Sequence, residues 1–299
     1  MDLRHLRCLL AIVDQRFSLT RAAAQLHLTQ PAISKQLALL ERELGLRVLE
    51  RAGKRLVGLS APGLAVADEA RRILQQVSDL GSIGEARRGE PKGELVIATT
   101  HVYARYVLVD PVIAFRAAYP QVRLLLRQAD PERVAQWVAA GDADIGICAD
   151  PNPVDPSLER HAAYSIGRIL VARVGHPILA ERRLSLRAIA RHPVIGFEQR
   201  YAGGVGLVSA FERAGLAPEI VIQATDADVV KAYVARGVGI AVLPSVAFDA
   251  AVDSELEARD ASRWFAPVVA SVVVRRGRYL RRFVHDFLAL AAPQVMLER

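Results

Sequence analysis

The chain of 299 residues carries 39 lysine and arginine residues against 32 acidic ones, which gives a formal net charge of +7. Hydrophobic residues make up 52% of it, enough to build cores for two or three domains. Residues 1–60 hold ten basic and five acidic side chains, so most of the excess positive charge lies near the N-terminus. That distribution suits a polyanionic partner.

Several classes of protein are excluded by simple features. The N-terminus lacks the apolar core of a signal peptide and no later stretch resembles a membrane span, so we expect a cytoplasmic protein with no membrane partner. Cys8 and Cys148 lack a partner spacing, which argues against a disulfide framework or a thiolate metal site. We predict that Cys8 is buried, whereas Cys148 is either buried or a thiol at a pocket edge.

The N-terminal segment predicts a helix-turn-helix. Residues 3–15 form a first helix, residues 21–26 a short second helix of small, strong helix formers, and His27 and Leu28 a turn. Thr29 then suits an N-cap, and Pro31 fits the first turn of a third helix. Apolar residues recur along this third helix at a spacing that predicts one buried face: Ile33, Leu37, Leu40 and Leu44.

The opposite face of the third helix is polar. It presents Gln30, Ser34, Lys35 and Arg42, side chains that can read base edges or hold phosphates. Thr29 and Pro31 at its start complete the predicted DNA-reading end. This pattern predicts a recognition helix.

A basic hairpin is predicted next. Residues 48–51 and 55–59 are two short strands joined at residues 52–54. Arg51, Lys54 and Arg55 would place positive charge on this wing. The alternative is a solvated basic hairpin, which the neighbouring helix pair makes less favoured than a DNA-binding wing.

The whole N-terminal pattern resembles the signature of the LysR-type bacterial transcriptional regulators, with unbroken spacing. Two positions depart from it: Leu49 replaces the usual Phe, and residues 60–63 read Ser-Ala-Pro-Gly. The resemblance implies binding to a double-stranded DNA operator. It rests on Ala22, Ala23, Leu26, Thr29, Gln30, Pro31, Ala32, Ile33, Ser34, Gln36, Leu37, Leu40, Glu41, Leu44, Gly45, Leu49 and Arg51.

A long helix is predicted from about Pro62 to Arg88, within a linker spanning residues 61–91. Its apolar residues follow a heptad-like seam, so we expect it to pair with a second copy of the chain. The alternative is packing on its own domain. Residues 87–93, rich in glycine and charge, predict a joint after it. The seam consists of Val66, Ala70, Ile73, Val77 and Leu80.

Strands and helices alternate after the joint, which predicts an α/β domain whose parallel sheets are covered on both faces. We predict a two-lobed effector domain over residues 92–299. The first lobe comprises residues 92–163 and 267–299, and the second comprises residues 164–266. The predicted fold class is thus α/β, with a winged helix-turn-helix and a linker helix before the effector domain.

A loop after the first predicted strand is a candidate anion site. Thr99, Thr100 and His101 stand just before a helix predicted over residues 103–118, where free N–H groups favour negative charge. The alternative is that the two threonines only cap the helix. Ligands in such folds bind beyond the carboxyl ends of strands, which favours this loop.

A second resemblance extends over nearly the whole chain, to the CysB branch of the LysR family, the regulators of sulfur assimilation and cysteine synthesis. It implies a periplasmic-binding-protein-like effector domain, dimers that associate to tetramers, and an effector resembling sulfate or acetylserine. RNA polymerase is a further partner that we expect of a transcriptional regulator. The resemblance is carried by residues 97–101, 104–106, 224–231, 233–234 and 237–239.

The polar lining of that branch is reduced in this chain. Residues with fewer donors stand at Val102, Tyr103, Ala149 and Ala202, which disfavours sulfate and favours a larger or more apolar ligand. Tyr103 and Tyr201 would then stack on the ligand or hydrogen-bond to it. The predicted effector site is Thr99, Thr100, His101, Val102, Tyr103, Ala149, Tyr201, Ala202, Gly203, Thr225 and Asp226.

Other chemistry is not indicated. Asp226 and Asp228 are predicted to cap a helix and interact with its dipole, and the seven histidines show no spacing typical of metal ligands. We therefore predict no catalytic residue, metal or cofactor besides the effector. An α/β enzyme with a DNA-binding arm and an extracytoplasmic solute receptor are the less favoured alternatives.

Overall fold

The computed structural model describes residues 1–53, 55–85, 92–149, 155–295 and 297. Lys54 of the predicted wing and residues 87–91 of the predicted joint lie outside these ranges. The chain divides into an N-terminal and a C-terminal compact unit. In the described part of the N-terminal unit, the elements are α1 (Leu3–Asp14), α2 (Leu19–Gln25), α3 (Gln30–Leu44), β1 (Leu49–Ala52), β2 (Arg55–Leu59) and α4 (Ala61–Glu85).

The predicted helix-turn-helix and hairpin are confirmed, and short polar side chains determine where the helices begin. The Ser18 hydroxyl accepts a hydrogen bond from the Arg21 amide, so α2 begins two residues earlier than expected. The Thr29 hydroxyl accepts from the Ala32 amide at 3.4 Å, as predicted for an N-cap. Gly45 ends α3 in the left-handed conformation, with φ of 68°.

The apolar face of α3 is buried in the N-terminal core. Ile33 and Leu40 are fully buried, and Leu37 is 1% exposed. They pack in one cluster with Leu9 and Ile12 of α1. Because this face is fixed inward, the polar face of α3 must point to solvent.

The first half of the α4 seam packs on its own unit. Ala70 is buried in the N-terminal core, and Val66 and Ile73 pack against that core. This agrees with the alternative to an intermolecular seam for these three positions. Leu80, by contrast, is 71% exposed. Pairing of the later part of the helix with a second copy stays a prediction.

The C-terminal unit contains two five-stranded sheets. In chain order its described elements are β3 (Gly93–Thr99), α5 (His101–Tyr106), α6 (Val109–Ala118), β4 (Val122–Gln128), α7 (Pro131–Ala140), β5 (Ile145–Cys148), β6 (Leu158–Ile166), β7 (Arg168–Arg173), α8 (Pro177–Ala180), α9 (Leu186–Ile189), β8 (Val194–Phe197), α10 (Ala202–Arg213), β9 (Ile220–Ala224), α11 (Ala227–Ala235), β10 (Ile240–Pro244), β11 (Leu256–Asp260), β12 (Val268–Arg275) and α12 (Arg282–Ala291).

Each lobe is built around one sheet. The first lobe has strand order β4-β3-β5-β12-β6, and the second has order β11-β7-β10-β8-β9. Strand β6 reaches Ile166 in the first sheet and β7 starts at Arg168 in the second, so the chain first crosses between the lobes at Gly167. It returns between β11 and β12.

The prediction of purely parallel sheets is wrong, because each sheet is mixed. Strand β12 is antiparallel to β5 and β6, and β7 is antiparallel to β10 and β11. These are the two strands that enter a lobe directly from the other one. A parallel neighbour needs a crossover connection, usually a helix, that returns the chain to the same end of the sheet. The direct connections between the lobes have no such crossover helix, so the strand that enters each lobe runs antiparallel to its neighbours.

Two edge strands and a helix break were not predicted. In strands β6 and β11, polar and apolar residues do not alternate regularly, so no strand pattern is visible in the sequence. Both are edge strands, where partial exposure to solvent tolerates polar side chains. The helix predicted over residues 103–118 is two helices, because Pro111 lacks the N–H that would bond to the Val107 carbonyl. In the described part of the chain, none of the helices combines the length and apolar character needed to cross a bilayer.

Candidate functional site

The N-terminal end of α3 is an exposed polar surface. Thr29, Gln30, Pro31 and Lys35 are exposed, and Ser34 is half-buried on the same side. No acidic residue lies in the first turn. Hydroxyl, amide and ammonium groups in this arrangement can donate to base edges and phosphates from one helix.

The hairpin adds two exposed cations. Arg51 in β1 and Arg55 in β2 are both exposed, and the register shifts by one residue between Glu50 and Arg51. Lys54, the third predicted basic residue, is outside the described part of the chain. The two arginines are free to meet phosphates, which is how basic wings add affinity without reading sequence.

A cavity of about 50 Å³ lies between the two lobes of the C-terminal unit. It opens beyond the carboxyl ends of β3 and β5 and beside the start of α10. This volume has room for a small ligand of a few heavy atoms. Its walls are Thr100, His101, Val102, Tyr103, Ala149, Ile166, Arg168, Phe197, Tyr201, Ala202, Gly203, Thr225, Pro244 and Val268.

Most of the predicted effector residues line this cavity, and Thr99 and Asp226 are the two that do not. The Thr99 hydroxyl donates to the Ile147 carbonyl at 2.6 Å, which ties β3 to β5. The Asp226 carboxylate instead caps α11, as predicted, accepting from the Asp228 amide at 2.7 Å.

Thr100 is a residue of the cavity wall whose hydroxyl does not cap the following helix. It occupies the N-cap position of α5, yet its side chain makes no capping hydrogen bond, and the residue is 5% exposed. The alternative that Thr99 and Thr100 serve only as caps therefore has no support in the contacts. A buried hydroxyl without a capping role is available to a ligand.

Five residues of the cavity wall were not predicted from the sequence, and Arg168 is the charged one; the others are Ile166, Phe197, Pro244 and Val268. Arg168 is the first residue of β7 and is 3% exposed. Its Nη2 donates to the Val242 carbonyl at 3.0 Å. Burial lowers the pKa of its guanidinium to about 10, so the group stays charged at neutral pH. Only the crossing between lobes brings this strand start to the cavity, and no local sequence signal marks it.

The two cavity tyrosines differ in their surroundings. Tyr103 is buried and its ring stacks on Tyr164 with 6.3 Å between centroids. Burial raises the pKa of Tyr103, so its hydroxyl remains protonated and can donate. Tyr201 is half-buried beside Phe197 at the start of α10. The aromatic rings of Tyr103, Phe197 and Tyr201 therefore give the cavity wall much of its apolar surface.

An ionic cluster joins the lobes next to the cavity. His101 Nδ1 lies 2.8 Å from an Asp226 oxygen, and His101 Nε2 lies 3.4 Å from an Asp228 oxygen. Asp228 also accepts from the Tyr106 hydroxyl and lies 3.2 Å from Lys231 Nζ. The two aspartates are on the second lobe and the histidine is on the first, so the cluster fastens them together.

The same three residues are a candidate cation site that the sequence spacing did not indicate. Ligand atoms of His101, Asp226 and Asp228 lie within 4.8 Å of one another. However, Asp226 is used by the helix cap, and Asp228 faces the ammonium of Lys231. Repulsion from that ammonium disfavours a divalent ion, so the arrangement is better suited to an ion-pair network.

The ionic cluster makes stability depend on pH. Burial alone would raise the pKa of Asp228, but hydrogen bonds from Tyr106 and Lys231 outweigh it, and the pKa lies below the ordinary 3.8. A lowered native pKa stabilises the fold above the ordinary value, and this contribution is lost as pH falls through the native one. We expect Asp228→Asn to lower the melting temperature at pH 7, with the difference shrinking below about pH 4.

Calorimetry from pH 7 to pH 3 measures this difference. Asp110→Asn, at an exposed acidic residue in the first turn of α6, is the matched control. An Asp228→Asn deficit that stays constant down to pH 3 would show that the carboxylate charge is not what holds the lobes together.

Comparisons with known proteins agree with this architecture. The family described as "Bacterial regulatory helix-turn-helix protein, lysR family" matches residues 3–64, and the "LysR substrate binding domain" matches residues 88–295. The chain is 36% identical to the HTH-type transcriptional regulator SsuR of Burkholderia cenocepacia, over 99% of this chain and 96% of that protein. It is 33% identical to CysB of the same organism, over 98% and 94%.

Solved structures show the same fold. The cofactor-binding domain of the Cbl transcriptional regulator matches with a TM-score of 0.66 and 34% identity, over 70% of this chain and 94% of that one. Full-length CbnR complexed with its target DNA matches with a TM-score of 0.66 and 22% identity, over 97% and 99%. The helix-turn-helix, the two-lobed domain and these relatives together place the chain in the LysR family of transcriptional regulators.

Proposed function

We propose that this regulator binds a double-stranded operator through α3 as a homo-oligomer, and that a small molecule in the interlobe cavity controls that binding. One observation supports the DNA-binding part of the proposal. The first turn of α3 is exposed and holds no acidic residue, while the opposite face of the helix is apolar and buried. In this proposal Gln30 and Ser34 read bases, because both lie on the solvent-facing side of α3. Lys35, Arg51 and Arg55 would hold phosphates.

The effector acts by binding both lobes at once. Thr100 and Ala149 come from the first lobe, and Tyr201 and Gly203 from the second. A ligand that contacts both lobes stabilises the arrangement of the lobes that fits it best, and shifts the population toward that arrangement. In an oligomer, such a shift would change the spacing of the two recognition helices or the DNA bend that they impose.

The resemblance to the CysB branch supports a role in sulfur or related metabolism. Similarity to proteins named CysB points the same way. The apolar replacements at Val102, Ala149 and Ala202 argue against inorganic sulfate as the ligand, because each oxygen of a buried anion needs a donor. We also propose RNA polymerase as a further partner and the cytoplasm as the location, because a transcriptional regulator acts on DNA.

Selection of duplexes from a random pool by the full chain tests the proposal. We expect an enriched site with two related half-sites separated by whole turns of DNA, as two-fold pairing of recognition helices requires. Binding should weaken steeply with salt, because phosphate contacts release counterions. Retention of all duplexes alike at every salt concentration would contradict sequence-specific regulation.

A further inference from the structure

We infer that the interlobe cavity takes an organic acid anion, with one negatively charged oxyacid group on a small apolar body, and that Arg168 is the cation that binds this group. The inference rests on the proposed effector role of the cavity. It adds the chemical class of the ligand and names the residue that selects it.

Arg168 is a buried charge in need of a partner. It is 97% buried, and among the described residues its side chain contacts the neutral Val242 carbonyl and Tyr103 but forms no ion pair with a carboxylate. One of its nitrogens is used by the Val242 carbonyl, a neutral acceptor. A buried cation without a counter-charge is costly, so an anion arriving beside it is strongly favoured.

The surroundings of Arg168 leave space for that anion. A Cβ atom at Gly203 would lie 3.1 Å from Nη1 and 3.4 Å from Nη2, so any larger residue there would press on the guanidinium. The Ala202 and Gly203 amides belong to the first turn of α10, where helical geometry leaves N–H groups without intrahelical acceptors. With the free Thr100 hydroxyl, these donors can complete the coordination of an oxyacid group.

The rest of the lining selects against a second charge. Among the residues that the structure describes, Arg168 is the one lysine or arginine in the lining, and His101 Nδ1 lies 2.8 Å from an Asp226 oxygen. Much of the remaining wall is hydrocarbon: Val102, Ala149, Ile166, Phe197, Pro244 and Val268. A dianion would bury one charge uncompensated, whereas each methylene group buried against this wall gains roughly fourfold in affinity.

Ligand titration of the full chain tests the inference, using calorimetry and thermal shift at constant ionic strength. The probes are acetate, isobutyrate and propane-2-sulfonate, with sulfate as the dianion and isobutyramide as the neutral isostere of isobutyrate. We expect isobutyrate or its sulfonate counterpart to bind at least tenfold more tightly than sulfate and isobutyramide, and more tightly than acetate. The preferred head group distinguishes a carboxylate from a sulfonate effector.

Variants assign the selectivity to Arg168. Arg168→Gln should lose at least tenfold in affinity for the preferred anion, while Arg173→Gln, at the exposed end of the same strand, should change it less than twofold. If Arg168→Gln fails to fold, Gly203→Ala provides the second test, because its methyl group would press on the guanidinium. Gly203→Ala should weaken the binding of the preferred anion and leave the fold intact, and circular dichroism checks the fold.

The inference is overturned if sulfate or isobutyramide binds as well as the organic anions, if none of the probes binds, or if Arg168→Gln binds the preferred anion as wild type does. Its failure is separable from that of the proposed function. If an anion binds through Arg168 but does not alter operator affinity, the proposed effector role is wrong and the binding site stands. If the protein binds DNA sequence-specifically but none of the anions binds, the proposed DNA-binding function stands and this inference is wrong.

Discussion

Replacing Gln30 and Ser34 together by alanine is expected to abolish most of the preference for the selected operator over a scrambled duplex. Each lost base contact costs about 1 to 3 kcal/mol, or roughly 5- to 150-fold in discrimination. Gln30 is exposed and Ser34 half-buried, outside the apolar cluster that holds α3. The fold should therefore be intact. Anisotropy titrations against both duplexes measure the effect.

Lys35→Ala is the matched control on the same helix face. An exposed lysine at this position is expected to contact phosphate, so its loss should weaken both duplexes alike and reduce the salt dependence by about one phosphate contact. If the Gln30 and Ser34 double variant keeps full discrimination, α3 is not the element that reads the operator.

Asp144→Ala is expected to destabilise the C-terminal unit by about 3 to 5 kcal/mol. One carboxylate oxygen lies 2.6 Å from Arg278 Nη2 and 2.8 Å from Arg281 Nη2, and the other accepts from the Val96 amide at 2.8 Å. All three charged side chains are at least 90% buried. Removing the carboxylate would leave two buried guanidinium groups without this counter-charge and the Val96 amide without its acceptor.

Chemical denaturation of the full chain, followed by a signal from the C-terminal unit, measures the loss. Trp137 and Trp264 both lie in that unit and provide the fluorescence. Glu132→Ala, at an exposed carboxylate of the same lobe, should change the free energy of unfolding by about 0.5 kcal/mol or less. An Asp144→Ala protein as stable as the Glu132→Ala protein would refute the stabilising role given to the Asp144 carboxylate between the two arginines.

Local patterns explain why the N-terminal unit was predictable. The cap at Thr29 and the apolar spacing through Leu40 are set by neighbours within one or two turns, and both are confirmed. The loop after β3 was predictable for a related reason, since ligand sites in α/β sheets follow the ends of strands. That rule found Thr100 and Tyr103 on the cavity wall.

Long-range placement explains what the sequence did not predict. Nothing in the local sequence distinguishes Arg168 from other residues at the start of a strand. It lies at the cavity because the chain crosses between the lobes just before it. His101 and Asp226 are more than a hundred positions apart and meet only because the lobes close on each other. The reversed strands β7 and β12 follow from the same two crossings, which alternation of helix and strand does not reveal.

Cleavage of DNA from a chelate tethered at position 34 tests the central claim most directly. Ser34→Cys can be labelled selectively with an iron chelate, because the native Cys8 and Cys148 are 2% and 1% exposed. With the full chain bound to its selected duplex, strand breaks should cluster at the major groove of each half-site, in two symmetric positions. Breaks scattered along the duplex, or none while the protein remains bound, would mean that α3 lies away from the bases.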